Sequence, residues 1–381
     1  MHRGAIATAA GLAFCLIAWP SSAQVATAAV GSEGSPAADT GYFQMVRRID
    51  KGVWLLVEPK FQLQPIGNVT VIEQSAGLVL VDAGGSPGAG RRIVQMVRAL
   101  SSKPVKAVII TQWHGDKPQG LTEILRAWPG ARTISTRATQ AHLSDPATMN
   151  SPPSPDAVRN ADYQQQLSST VGDMRQMQQA ATTARERRGF ADTVRMLEQY
   201  ALDMDGALTV PTKEAFTDSL TINDPRAPLR VLFLGRANTD GDAVVWLPRQ
   251  RILIAGETVI LPFPYGFESY PADWIATLEK LRAFRFRFLV PGHGMPQTDR
   301  AQIDRIIAVL RDVRAQVGPL ASQGLTLAEV EAKVDLGKHE AIFAGDDPWL
   351  RRWFRAFFVH PIVSSAYREA RGEPIMQRLS G

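Results

Sequence analysis

Short apolar runs rich in β-branched residues recur in the first part of the chain and predict a series of buried β-strands. Between the last two runs, the segment Arg91 to Leu100 has apolar residues at helical spacing, so that the order there is strand, helix, strand. This alternation predicts an α/β layered domain. The predicted strands are Val53 to Val57, Val69 to Glu73, Leu78 to Asp82 and Val105 to Thr111.

A polar segment interrupts this pattern before strands return. From about Asp156 to Tyr200 the chain is rich in Gln, Arg, Ala and Met, and its apolar positions predict a helical insertion at about 140–210. Residues 301–381 are predicted to form a helical C-terminal extension. The later strands are predicted at Leu220 to Ile222, Arg230 to Leu234, Ala243 to Leu247, Arg251 to Ile254 and Phe286 to Val290.

The first residues have the pattern of an export signal. A short basic start is followed by an apolar run from Ala5 to Trp19 and by the small residues Ser21 to Ala23, which suit cleavage. The apolar run is shorter than the ~20 residues that a membrane-spanning helix needs, so a membrane anchor is disfavoured. We therefore expect a signal peptide at 1–23, a linker at 24–40, and a periplasmic or secreted protein without a membrane span.

Composition adds few constraints. The chain has 381 residues, is 45% hydrophobic and 21% charged, and carries a formal net charge of +5, which is ordinary for a globular protein with a sizeable core. Basic residues are scattered and do not interleave with aromatic residues, so no nucleic-acid partner is expected. The single cysteine, Cys15, lies in the predicted signal peptide, so the mature chain would have no thiolate ligand for a metal ion.

Polar residues suited to metal binding follow several of the predicted strands directly. His114 and Asp116 come after the strand that ends at Thr111, and three other strands end in loops that also contain such residues. Loops that close buried strands of one domain converge on a shared crevice, so these side chains are expected to lie together. The four loops read H-x-D, G-R-A-N-T-D-G-D, A-G-E and P-G-H-G, with Asp82 in a supporting V-D-A-G.

This ordered set of motifs, over about residues 45–295, resembles the metallo-β-lactamase superfamily. The resemblance implies an α/β fold, the four-layered αβ/βα sandwich, as a domain at 41–300 that carries the helical insertion. It also implies a hydrolase that acts on a small-molecule substrate.

The metal-ligand positions of the family are altered in this chain. The amide oxygens of Gln112 and Asn238 are poor partners for zinc, and an ammonium cannot coordinate a metal at all. The resemblance therefore implies at most one zinc ion, held by Asp116, Glu257 and His293 with water in the fourth position. Carried over in order, the family's ligand positions are Gln112, His114, Asp116, Lys117, Asn238, Glu257 and His293.

Two functions are compatible with this set. In the first, an exported hydrolase uses one metal ion to activate water against an ester, lactone, amide or related bond. His114, Asp116 and Lys117 are then the predicted catalytic residues: His114 orients or deprotonates the water, and Lys117 stabilises a developing oxyanion. In the second, the Lys117 ammonium neutralises Asp116 or Glu257 in the space of the metal, and the protein binds a ligand without catalysis. Substrate contacts are predicted for Trp113, Asn238, Phe263 and Tyr265.

Overall fold

The computed structural model describes residues 45–58, 61, 66–145, 157–204 and 207–375. The predicted signal peptide and the whole of the predicted linker therefore lie outside the described residues, as do the last residues of the chain. No helix within the described ranges is long and apolar enough to cross a membrane.

The first sheet has seven strands that neighbour one another in chain order. Strands β1 to β4 are antiparallel, whereas β4 to β7 are parallel. Parallel pairing needs a crossover, which helix α1 (Pro87–Leu100) supplies between β4 and β5. The strands are β1 Met45–Asp50, β2 Val53–Val57, β3 Val69–Glu73, β4 Leu78–Val81, β5 Val105–Ile109, β6 Arg132–Thr136 and β7 Glu214–Phe216.

The second sheet has five strands in the order β12, β11, β10, β9, β8. Its strands pair antiparallel except β11 and β12, which are parallel and are joined through a helix. The strands are β8 Ser219–Ile222, β9 Leu229–Phe233, β10 Ala243–Leu247, β11 Ile252–Gly256 and β12 Phe288–Pro291. The helices after α1 are α2 Leu121–Ala127, α3 Arg137–Ser144, α4 Ala157–Ala180, α5 Ala184–Asp203, α6 Pro271–Arg282, α7 Ala301–Ser322, α8 Leu327–Glu331, α9 Gly337–Ala344, α10 Pro348–Phe354 and α11 His360–Arg371, with a π-helical turn at Arg355–Val359 between the last two.

Three apolar clusters define the layers. The central cluster packs side chains such as Val79 and Ile109 of the first sheet against Val231 and Val245 of the second, so the two sheets lie face to face. A second cluster joins the outer face of the first sheet to α1 and α2, and a third joins the outer face of the second sheet to α6, α7 and the C-terminal helices. The order is helix, sheet, sheet, helix, which confirms the four-layered αβ/βα sandwich predicted from the sequence.

The predicted insertion contains the two long helices α4 and α5. Phe190 of α5 packs edge-on against Trp349 of α10, with 4.7 Å between ring centroids, and the Tyr200 hydroxyl donates a hydrogen bond to the Gly85 carbonyl at 3.1 Å. The insertion is thus fixed both to the C-terminal helices and to the segment that follows β4.

Candidate active site

The four loops singled out in the sequence meet at one edge of the two sheets. The first loop follows β5, the second follows β9, and Glu257 and His293 follow β11 and β12. The loops are tied together by the backbone: Ala243 N–H donates to the Thr111 carbonyl at 2.7 Å, and Asn68 N–H donates to the Gly292 carbonyl at 2.7 Å. The predicted convergence of these loops on one crevice is confirmed.

Asp82 fixes the start of the first loop. Its carboxylate accepts hydrogen bonds from the Thr111 backbone N–H and hydroxyl at 2.8 to 2.9 Å, while the Ala83 N–H donates to the Lys117 carbonyl at 2.8 Å. Burial raises the pKa of Asp82 to about 7 despite the opposing effect of Lys117 and Thr111. This residue therefore positions the loop and does not face a ligand.

Asp116, Glu257 and His293 come together as the sequence predicted. One ligand atom from each lies within 4.8 Å of the other two. His293 Nε2 is 3.1 Å from Asp116 Oδ2 and 3.1 Å from Glu257 Oε1. The side chain of Glu257 is buried, whereas those of Asp116 and His293 are each 12% exposed, so the latter two reach the crevice.

The ammonium of Lys117 lies in the middle of this triad. Its Nζ is 2.7 Å from Asp116 Oδ2 and 2.6 Å from Glu257 Oε1, and it donates to the Gly292 carbonyl at 3.3 Å. The Lys117 side chain is 0% exposed. An ion pair this deeply buried, with two carboxylates around one ammonium, is the arrangement of the second sequence hypothesis.

The charges of this cluster reinforce one another. Burial alone would raise the pKa of Asp116, but the Lys117 ammonium and His293 offset it and hold that pKa well below its usual range. Burial would lower the pKa of Lys117, but Asp116 and Glu257 raise it above the ordinary lysine value. The pKa of Glu257 is lowered in the same way, its burial being offset by Lys117. The cluster is therefore ionised at neutral pH.

The triad has the donor chemistry of a zinc site, but Lys117 fills its space. Zinc would lie about 2.0 to 2.2 Å from each oxygen or nitrogen ligand, and the ammonium already contacts the Asp116 and Glu257 oxygens that would bind the ion. The residues present thus do not fit a metal ion while the Lys117 side chain keeps this position. The catalytic steps that we propose therefore use only side chains of the protein.

The other half of the family's site holds neutral side chains in a separate network. The Gln112 side-chain oxygen accepts the His114 backbone N–H at 2.6 Å, and its amide nitrogen lies 3.0 Å from His114 Nδ1. Because that amide nitrogen is a donor, Nδ1 is the acceptor, and the ring proton of neutral His114 lies on Nε2. Burial lowers the pKa of His114 and keeps it neutral. The Asn238 amide donates to the Tyr265 carbonyl at 2.8 Å.

The predicted substrate contacts differ in exposure. The Tyr265 ring is half-buried and 5.3 Å from the His293 ring, beside the triad. Trp113 is only 3% exposed, and Asn238 is fully buried. Phe263 is also fully buried and packs on Phe61 and Phe354 in the outer core, so its predicted substrate contact lacks an exposed surface.

One histidine near the site was not predicted from the sequence as a site residue. His142 Nε2 is 2.9 and 3.0 Å from the two oxygens of Asp240, and its ring lies 4.8 Å from Trp113, which in turn contacts His114 at 4.5 Å. Nearby, burial raises the pKa of Glu268 to about 7. The pairing joins positions 98 residues apart, and its only sequence signal was the location of Asp240 in a motif loop.

A family model described as the metallo-beta-lactamase superfamily matches residues 64–293. This chain belongs to that superfamily. The resemblance inferred from the ordered motifs is thereby confirmed.

Its similarity to individual superfamily proteins is low. A relative named linear primary-alkylsulfatase, from a Pseudomonas species, is 28% identical over 297 residues, which are 74% of this chain and 52% of the relative. This chain thus spans about half the length of that protein. One named metallo-beta-lactamase type 2, from Bacteroides fragilis, is 33% identical over 104 residues, 25% of this chain and 41% of the relative. A solved metallo-beta-lactamase from Pontibacter korlensis covers 70% of this chain and 98% of its own, at 16% identity and a TM-score of 0.49.

Proposed function

We propose that this chain is a hydrolase of the superfamily that acts on a small molecule in the crevice, through its own side chains. The observation that carries the proposal is the position of His293, whose Nε2 lies 3.1 Å from carboxylate oxygens of both Asp116 and Glu257. A carboxylate that accepts a ring N–H of a histidine orients the ring and stabilises the protonated form that a general base becomes, as in many hydrolases that activate a nucleophile. The names of the matched relatives, an alkylsulfatase and a β-lactamase, agree with this class.

In this mechanism the two crevice histidines have different roles. His293 takes a proton from water as the water attacks the substrate carbon or sulfur, and the leaving group receives that proton. His114 carries its ring proton on Nε2 because its Nδ1 accepts the Gln112 amide, so that Nε2 is a donor and not a base. Of the roles expected for His114, orientation and stabilisation are therefore favoured over deprotonation of water. Lys117 holds Asp116 and Glu257 ionised and in place.

The test is turnover by protein that elemental analysis shows to be free of metal. A panel of an aryl ester, an aryl sulfate, a lactone and a β-lactam covers the bond types. We expect at least one to be hydrolysed, with no loss on adding a chelator, and we expect His293→Ala to lower kcat/KM by about 100- to 10,000-fold. His360→Ala, at an exposed position of α11, is the matched control and should keep full activity. Activity that disappears with the chelator and returns with zinc would contradict the proposal.

A second candidate, ligand binding without turnover, is favoured by one further observation. The Lys117 ammonium forms ion contacts with Asp116 and Glu257 and donates a hydrogen bond to the Gly292 carbonyl. Lys117 is therefore engaged within the cluster and does not reach a substrate. Saturable binding of panel compounds with no product formed would select this candidate over hydrolysis.

We also propose that the protein is exported, on the basis of the signal-peptide pattern in residues 1–23. N-terminal sequencing of the protein recovered from the periplasm or the medium should begin near Gln24. Recovery with Met1 intact would contradict this.

A further inference from the structure

We infer that Lys117 is a built-in replacement for a metal ion, and that it masks a latent mononuclear metal site formed by Asp116, Glu257 and His293. This inference concerns which cation the site contains. It does not rest on the proposed hydrolase activity.

The ammonium is surrounded by oxygen atoms. Its Nζ lies 2.7 Å from Asp116 Oδ2 and 2.6 Å from Glu257 Oε1, and it donates a hydrogen bond to the Gly292 carbonyl at 3.3 Å. The side chain is completely shielded from water, so the two carboxylates provide the compensation that a buried charge requires.

The backbone around the ammonium leaves room for this arrangement and little else. A Cβ atom added at Gly67 would lie 2.2 Å from Lys117 Nζ, and one added at Gly292 would lie 2.2 Å from Glu257 Oε1. Neither glycine has a positive φ, so the reason for glycine at both positions is space and not backbone conformation. The two glycines form a cradle that brings the main chain directly against the ion pair.

A divalent ion and the ammonium cannot share this site. The ion would need the same Asp116 and Glu257 oxygens at about 2.0 to 2.2 Å, and the ammonium lies 2.6 to 2.7 Å from them. Two cations at such close range repel strongly in a buried setting. A displaced Lys117 would stay in the protein interior without a partner, because it is attached to the loop that forms the site. Metal binding would therefore leave the buried Lys117 charge without a partner, which is costly.

Removing the ammonium reverses this balance. Asp116 and Glu257 would then be two ionised carboxylates side by side, with a histidine nitrogen 3.1 Å from each. One nitrogen and two carboxylates with an open position for water form a three-ligand zinc set. The volume freed by the lysine side chain is available to the ion and its water.

The experiment measures metal content, without any substrate. Wild-type protein, Lys117→Ala, and Lys117→Ala combined with His293→Ala are incubated with zinc, separated from free metal and analysed for zinc per chain. We expect no stoichiometric zinc in the wild type, one ion in Lys117→Ala and none in the double variant. Lys51→Ala, at an exposed position, is the control for loss of a lysine and should resemble the wild type.

Competition with a chromophoric zinc indicator gives the affinities. Zinc should bind Lys117→Ala at least about 100-fold more tightly than the wild type, as expected if metal binding to the wild type must strand a buried charge. Wild-type protein that binds one zinc ion, lost in His293→Ala, would overturn the inference. So would a folded Lys117→Ala that binds none. If Lys117→Ala fails to fold without metal, refolding with and without zinc, together with the wild-type titration, decides the question.

These outcomes are separable from those of the proposed function. A metal-free wild type that turns over no substrate contradicts the hydrolase and leaves the masking by Lys117 intact. A zinc-containing wild type that is active contradicts both.

Discussion

The two halves of the family's metal site differ in how they are stabilised in this chain. In the half formed by Asp116, Glu257 and His293, a buried ammonium lies between the two carboxylates and offsets part of their charge. In the half formed by Gln112, His114 and Asn238, neutral side chains bond to one another and to the backbone.

The difference follows from the charge of the ligands. Carboxylates removed from water require a cation or a proton, because an unpaired buried charge is very costly. Amides and a neutral imidazole require only hydrogen bonds. A protein that gives up a metal site must therefore supply a positive charge on the carboxylate side, while complementary hydrogen bonds suffice on the other.

Lys117→Met should give the largest loss of stability when a chelator is present. The substitution keeps the apolar stem but leaves Asp116 and Glu257 as adjacent buried carboxylates, which should lower the free energy of unfolding by about 3 to 5 kcal/mol. Urea unfolding followed by circular dichroism measures it. Lys51→Met, exposed on the surface, should stay within about 0.5 kcal/mol of the wild type. A loss below about 1 kcal/mol for Lys117→Met would mean that the carboxylates do not need this cation.

Glu257→Gln should have a smaller effect. The glutamine oxygen can stay beside the Lys117 ammonium, which keeps Asp116 as a charged partner, but the negative charge that faces Lys117 and His293 is lost. We expect the free energy of unfolding to fall by about 1.5 to 3 kcal/mol. Glu198→Gln, which removes an exposed ion pair with Arg175, is the matched control and should change stability by less than about 1 kcal/mol. Equal effects in the two variants would argue against a special role for the buried cluster.

Asp242 is a buried carboxyl group that forms no ion pair within the part of the chain that the structure describes. It is 2% exposed, accepts hydrogen bonds from Thr239, and burial raises its pKa to about 8. The folded protein therefore retains a proton that the unfolded chain releases. The contribution of Asp242 to stability should fall as pH rises from the ordinary carboxyl pKa towards about 8, by at most about 1.4 kcal/mol per pH unit.

Asp242→Asn should flatten this pH dependence, because asparagine resembles the protonated acid. Unfolding curves collected at a series of pH values measure the slope. Asp346→Asn, which changes a fully exposed carboxylate, should leave the slope in place. An unchanged slope in Asp242→Asn would show that Asp242 is ionised in the folded state without a cation. That result would contradict the rule that a buried carboxylate requires a cation or a proton.

Gln112→Ala should have the smallest effect on stability, about 1 kcal/mol, because only neutral hydrogen bonds are lost. Its clearer consequence concerns His114. Gln112→Glu should keep the acceptor for the His114 backbone N–H but place an acceptor opposite Nδ1, and so move the ring proton from Nε2 to Nδ1. Nitrogen-15 NMR of the histidine ring distinguishes the two tautomers. The same tautomer in the wild type and Gln112→Glu would show that Gln112 does not fix it.

Much of the fold could be predicted from the sequence because the patterns that indicate it are local. The strand and helix patterns and the order of the motif loops depend on neighbouring residues, and they predicted the two-sheet sandwich. Helix α1 begins at Pro87, capped by Ser86, and not at Arg91 as the periodicity suggested. Glycines in its first turn obscured the apolar pattern, although Ser-Pro is itself a helix-start signal.

The candidate site could be predicted only in part from the sequence. The sequence identified Asp116, Glu257 and His293 as neighbours, since each follows a strand that ends at the same edge. It left open whether a metal or Lys117 lies between them, because that depends on where a flexible lysine side chain extends after folding. The contact of His142 with Asp240 and the burial of Phe263 also depend on packing between distant segments.

A cation that is part of the polypeptide changes how the protein matures. The Lys117 charge reaches its site when the chain folds, at one per molecule, whatever the supply of metal around it. Such a site needs no loading step and no metal carrier. A chelating competitor cannot remove this charge, so the cation site is complete once the chain has folded.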